Sequence, residues 1–180
     1  MARNVEIKAA IDSVDSLVAA AVAIADEGPI AILQDDTFFH CNAGRLKLRL
    51  FSAEAGELIF YHRADRHGPK ESHYVRTPTA DPGSLRASLS LAYGVAGRVR
   101  KHRTLFLAGR TRIHLDRVEG LGDYLELEVV LADAEPAAAG EQEALRLMRA
   151  LGVEPSRLVD VAYVDLLARK RGDDDARRGD

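Results

Sequence analysis

Residues 112–128 read RIHLDRVEGLGDYLELE. Arg112, His114 and Asp116 fall on one face of the first half, with Ile113 and Leu115 on the other. After the Gly120-Leu121-Gly122 turn, Glu126 and Glu128 share a face opposite Leu125, Leu127 and Val129. A period of two identifies strands, and the tight glycine turn joins them as antiparallel neighbours. Each strand therefore has an ionic face and an apolar face.

The same pattern continues outward. In Asn4–Ile11, Val5, Ile7 and Ala9 oppose Asn4, Glu6 and Lys8. In Arg45–Phe51, Arg45, Lys47 and Arg49 oppose Leu46, Leu48 and Leu50. Lys101 and Arg103 share a face within a strand expected over Gly97–Leu107. Further strands are expected over Ile30–Phe39, Glu57–His62 and Glu71–Thr77, with turns at Asn42-Ala43-Gly44, Gly56 and Gly109. Arg63–Lys70 reads as a polar loop. Helices are expected over Asp12–Asp26, from Asp81-Pro82 to Tyr93, and over Pro136–Leu151. A short helix is expected at Pro155–Val159, followed by Tyr163–Leu167. From Ala168 the chain reads ARKRGDDDARRGD, without an apolar face, and disorder is expected.

Strands joined mostly by short turns favour an antiparallel sheet, closed or nearly so, with helices packed outside on its apolar face. The class is mainly β (α+β). No linker divides the chain, so a single domain over residues 1–167 and a charged tail over 168–180 are expected.

Composition narrows the function. The 180 residues carry 25 Lys and Arg against 28 Asp and Glu, a net charge of -3, which argues against a general nucleic-acid binder. The single Cys41 excludes an internal disulfide framework and a cysteine-based zinc cluster. The start MARNVEIKAA lacks the apolar core of an export signal. The apolar run Leu17–Ala25 is about half of a membrane span. A cytoplasmic protein without membrane association is the expectation. A homodimer is left open, since no apolar patch is identifiable.

The ionic faces need an occupant. One polar face is ordinary for an antiparallel sheet. If helices cover the apolar face and the sheet closes, however, the ionic face becomes a lumen. Burying unpaired charge costs several kcal/mol per ion, so the lumen must hold water, compensating pairs, a metal or a charged ligand. Carboxylates at i and i+2 lie about 7 Å apart along a strand. With Asp116 from the next strand they could hold a hard divalent cation such as Mg²⁺ or Mn²⁺. The cations outnumber the carboxylates available to them, and Arg and Lys clusters match phosphate oxygens. Metal and polycation together point to a polyphosphate.

At these residues the sequence resembles the CYTH, or triphosphate tunnel metalloenzyme, family. Asn4-Val5-Glu6-Ile7-Lys8 is similar to its Glu-x-Glu-x-Lys signature, with Asn4 replacing the first Glu. Gln34–Phe39 is similar to its second strand, and Arg45–Arg49 to its basic strand. Gly68-Pro69-Lys70 with Ser72, Val99-x-Lys101-x-Arg103 and the 112–128 hairpin match further elements. The resemblance covers about residues 1–167. It implies an eight-stranded antiparallel β-barrel tunnel, with Glu6, Asp116, Glu126 and Glu128 as metal ligands. Lys8, Arg45, Lys47, Arg49, Lys70, Lys101, Arg103 and Arg112 would hold the triphosphate. Of these, Lys8, Lys101 and Arg103 are assigned the catalytic role.

The pattern is most similar to class IV adenylyl cyclases, which convert ATP to cyclic AMP and pyrophosphate. Hydrolysis of tripolyphosphate, thiamine triphosphate or a nucleotide is the alternative, and a non-catalytic polyphosphate-binding module the third reading. His114 is expected to make a supporting hydrogen bond. His40, His62, His67, His73 and His102 are expected at the surface, and Cys41 has no identifiable base partner. Tyr61 and Tyr124 fit the tunnel lining or its packing equally well.

Overall fold

The computed structural model describes residues 2–63 and 68–178. Its strands are β1 (Ala2–Ala10), β2 (Glu27–Phe39), β3 (Arg45–Leu50), β4 (Gly56–Arg63), β5 (Lys70–Thr79), β6 (Val95–Ala108), β7 (Thr111–Val118) and β8 (Gly122–Val130). Its helices are α1 (Val14–Ile24), α2 (Pro82–Tyr93), α3 (Ala137–Ala150) and α4 (Tyr163–Arg178), with a 3₁₀ turn at Pro155–Arg157. The strands bond in the order β1-β5-β4-β3-β2-β6-β7-β8, and β8 returns to β1, so the ring is a closed barrel. Every pairing is antiparallel. Closure removes the open sheet edges that would otherwise template aggregation.

The apolar faces turn outward, as expected. Val5, Ile7, Ile113, Leu115, Leu125, Leu127 and Val129 form one buried cluster with Val14 and Ala21 of α1 and with Ala144, Leu147 and Met148 of α3. Leu125 and Leu127 are fully buried. Each such side chain contributes about 1.5–3 kcal/mol of transfer free energy. The α3 backbone comes close to β1 at Gly140, where a Cβ would meet Leu131 Cδ2 at 2.8 Å and Val5 Cγ2 at 2.9 Å.

Local chemistry sets the helix ends. The Ser13 side chain accepts from the Asp15 amide at 3.1 Å, and Asp123 Oδ2 accepts from the Val14 amide at 2.7 Å. Asp81 caps α2 through the Ser84 amide at 3.0 Å, with Pro82 in the first turn.

Two expectations change. The sequence from Ala168 is helical, because α4 continues to Arg178, so the boundary expected at 167 falls inside a helix. Tyr163 and Val164 are buried and fix the first turn. Lys170 Nζ then donates to the Gly120 carbonyl at 2.7 Å, and Arg169 and Asp173 stand at a helical i,i+4 spacing. A helix nucleated by packed residues can continue without an apolar face. The second change is the place of α4. It starts across one mouth of the barrel, where a Cβ on Gly97 would meet Val164 Cγ2 at 2.5 Å. Of the loop expected over Arg63–Lys70, residues 64–67, including His67, lie outside the described residues. No described helix is long and apolar enough to cross a membrane.

Candidate functional site

All eight strands send alternate side chains into a central cavity of about 310 Å³. Glu6 and Lys8 enter from β1, Lys47 and Arg49 from β3, and Lys101 and Arg103 from β6. Arg112 and His114 enter from β7, and Glu126 and Glu128 from β8. Register explains the grouping: Lys8 lies opposite Glu126, Glu6 opposite Glu128, His114 opposite Glu126 and Arg112 opposite Glu128. The ionic faces expected from the sequence thus meet in one lumen.

Glu126 and Glu128 form its acidic centre. Lys8 Nζ lies 3.2 Å from Glu126 Oε1, and Arg103 donates to Glu126 Oε2. Glu128 accepts from Arg112 Nη1 at 2.9 Å. With His114 they form a group whose potential ligand atoms all lie within 4.8 Å of one another. Glu6 and Asp116, expected as ligands, fall outside that group. Glu6 lines the lumen beside Glu128 in register. Asp116 is wholly buried behind the cations. It accepts from Lys101 Nζ at 2.9 Å, from Arg103 Nε and Nη2 at 2.6 Å each, and from the Tyr163 hydroxyl at 3.1 Å.

A second clamp escaped the sequence reading. Asp36 of β2 accepts from Lys47 Nζ at 2.9 Å and from Arg49 Nε and Nη2 at 2.8 Å each. The alternation of Gln34, Asp36 and Phe38 could have placed it on the inner face. Arg76 also lines the lumen and pairs with Glu57.

The segment Val159–Asp165 closes the mouth beside these groups. Lys8 Nζ donates to the Val161 carbonyl at 3.3 Å, and Lys70 Nζ donates to the Asp160 carbonyl. Arg45 forms a bidentate pair with Asp165 at 2.7 and 3.2 Å. Arg45 and Lys70 therefore sit at the mouth, held by the C-terminal segment, and do not line the cavity. The Tyr163 ring lies 4.0 Å from Lys8 Nζ and 4.9 Å from Lys101 Nζ, measured to its centroid. Tyr124 meets it edge to face at 5.0 Å. No local pattern announced Tyr163, because its role depends on closure of the distant barrel.

Burial and charge set the protonation states. Burial pushes Lys47 down to about 8 against the pull of Asp36. It also lowers Lys101, and neighbouring Arg103 adds to that. Burial favours a protonated Asp36, yet Arg49 and Lys47 outweigh it and hold the carboxyl well below its usual range. The same contest, won by His114, Arg103 and Arg112, leaves Glu128 at about 2. Burial and then Arg103 push His114 down to about 4, so the imidazole is neutral near pH 7.

The donor set suits a divalent cation. Two ionised carboxylates converge with a neutral imidazole. Asn4 Oδ1 and His114 Nδ1 are buried without a hydrogen-bond partner. Buried polar atoms are nearly always partnered, so a ligand or ion completing them is consistent with the site.

The chain belongs to the CYTH domain family, whose pattern it matches over residues 2–163. Members of this family process triphosphates and use divalent metals. Among solved structures it is similar to the PH1012 protein of Pyrococcus horikoshii OT3, with 21% identity, TM-score 0.79, and coverage of 91% of this chain and 99% of that one. It is similar to a candidate adenylate cyclase from Vibrio parahaemolyticus, with 19% identity, TM-score 0.69, and coverage of 92% and 97%. A candidate adenylyl cyclase from Hippeastrum, described as having a dominant triphosphatase activity, matches at 16% identity and TM-score 0.65, covering 94% and 96%. No curated protein matches the sequence significantly.

Proposed function

We propose that this chain is a divalent-metal-dependent enzyme that converts ATP to cyclic AMP and pyrophosphate inside the barrel. The observation that carries the reading is one lumen in which Glu126, Glu128 and His114 face a wall of Lys and Arg side chains. Ile32, Phe51 and Leu105 line the same cavity and offer apolar surface to an organic group beyond the phosphates. The substrate is a small triphosphate, and neither nucleic acid nor membrane takes part.

In the proposed reaction the ribose 3′-oxygen bonds to the α-phosphorus as its hydroxyl proton passes to water, and the bond from that phosphorus to the bridging oxygen of the β-phosphate breaks. Pyrophosphate leaves with the bonding electrons. Lys8, Lys101 and Arg103 hold its growing charge, a preorganised electrostatic role. Asp116 acts as a positioning residue, fixing Lys101 and Arg103 from behind. Lys47 and Arg49, set by Asp36, and Arg112 orient the remaining phosphate oxygens. A bound Mg²⁺ or Mn²⁺ would polarise a phosphoryl oxygen, held through Glu126 and Glu128 with Glu6 nearby.

Hydrolysis of a triphosphate by water is the second reading, supported by the similar Hippeastrum candidate cyclase, which is described as having a dominant triphosphatase activity. Asn4 stands in the lumen where the family signature has Glu, which leaves open which reaction the site carries. The test is incubation of purified protein with ATP, tripolyphosphate or thiamine triphosphate, each with Mg²⁺ or Mn²⁺, and identification of products. Cyclic AMP with pyrophosphate is expected. Orthophosphate without cyclic nucleotide overturns cyclisation in favour of hydrolysis, and tight binding without product overturns both. Glu126→Gln should lower turnover at least about a hundredfold while circular dichroism stays native, the scale of losing an electrostatic group at a reacting centre.

A further inference from the structure

We infer that His114 is a metal ligand, and that its nitrogen makes the site select transition-series ions such as Mn²⁺ and Co²⁺ over Mg²⁺. The inference rests on the metal-dependent reading above and deepens it. Three observations meet here. The ligand atoms of His114, Glu126 and Glu128 lie within 4.8 Å of one another. His114 Nδ1 is buried, with only 4% of the residue exposed, and lacks a hydrogen-bond partner. The neighbouring carboxylate, Glu128 Oε1, is 3.8 Å from that nitrogen, beyond hydrogen-bond reach.

Strand geometry makes the placement deliberate. His114 is directly opposite Glu126 in the β7–β8 ladder, and Glu128 is two residues further along β8, on the same face. The three groups therefore project from one hairpin, and their separation is fixed by backbone hydrogen bonds. The aspartate expected to complete the carboxylate set, Asp116, spends its oxygens on Lys101, Arg103 and Tyr163. That leaves one nitrogen and two carboxylates as the converging donors. Mg²⁺ favours oxygen ligands and retains water, whereas an imidazole raises affinity along the first transition series. Asn4, which brings an amide where the family signature has a carboxylate, further reduces the charge available to a hard ion.

The experiment is calorimetric titration of the metal-stripped full chain with Mg²⁺, Mn²⁺ and Co²⁺, without nucleotide. The expected affinity order is Co²⁺ over Mn²⁺ over Mg²⁺. His114→Gln should weaken Co²⁺ and Mn²⁺ at least about tenfold and change Mg²⁺ by less than about threefold, the smaller loss matching a ligand it does not need. Equal losses for all three ions, or none, overturn the inference. Pulsed EPR of wild-type protein with Mn²⁺ gives an answer that needs no variant. Coupling to a histidine nitrogen supports ligation by His114, provided it disappears in His114→Gln if that variant folds. Its absence in wild type overturns ligation. Glu126→Gln separates this failure from failure of the parent reading. If wild type binds no ion, or if Glu126→Gln binds all three unchanged, the metal-dependent site itself is wrong and the role of His114 falls with it.

Discussion

Strand β8 presents two different proteins on its two faces. Outward, Leu125, Leu127 and Val129 are sealed beneath α1 and α3 in a core without charge. Inward, Glu126 and Glu128 meet Lys8, Lys101, Arg103 and Arg112. The outer face gains stability from burial. The inner face holds charges whose desolvation consumes stability unless each is matched. Adjacent residues thus answer to different demands, and mutations one position apart should fail in different ways.

The largest effect is expected where the inner face is most enclosed. Asp116→Asn leaves Lys101 and Arg103 short of a counter-charge and should cost about 3–5 kcal/mol in urea unfolding. Turnover of the folded fraction should fall too, since both cations lose their anchor. A loss of stability with normal turnover would remove Asp116 from the positioning role. Next, Leu127→Ala should cost about 2–5 kcal/mol, with turnover of the folded protein within about twofold of wild type. A large kinetic defect there would break the division between faces.

A smaller effect is expected in acid. In metal-stripped protein the unfolded His114 takes a proton near its ordinary 6.5, but the folded one only near 4. The unfolded state then binds more protons, so stability falls as pH drops through that window. Glu128, ordinarily 4.5 and about 2 when folded, adds a further loss between those values. His114→Gln should flatten the first decline and, by removing the group that most lowers Glu128, also shrink the second; an unchanged profile would show that other groups cause both. The smallest effect belongs to the exposed pair Arg100–Glu119. Arg100→Ala should change stability by less than about 1 kcal/mol.

How much of this was legible in the sequence depends on range. Alternation in RLKLR and YLELE assigned inner and outer faces correctly, because strand periodicity is a local property. The hairpin over 112–128 placed Glu126 and Glu128 on one face. Its sequence did not reveal that Asp116 lies behind the cations while His114 joins Glu126 and Glu128. That difference depends on depth in a curved wall, which a period of two does not encode. The positions of Arg45 and Lys70 were hidden for another reason. Their partners, Asp165 and Asp160, are about a hundred residues away and arrive only when the chain end crosses the barrel mouth. The helical tail was missed because its nucleus, Tyr163 and Val164, packs on that same mouth.

The crossing by Val159–Asp165 gives the tunnel the topology of a test tube. Tyr163 forms its floor above Lys8 and Lys101, while Phe51 and Arg76 lie near the surface at partly exposed positions. Traffic in a vessel with a floor is last in, first out. In the proposed reaction, a fragment left against Lys8 and Lys101 would wait for anything nearer the rim to depart. If that deep fragment is pyrophosphate, it should compete with fresh substrate, while the shallower product should not trap it once released. For the proposed reaction, the order of product release would then follow from the path of the chain.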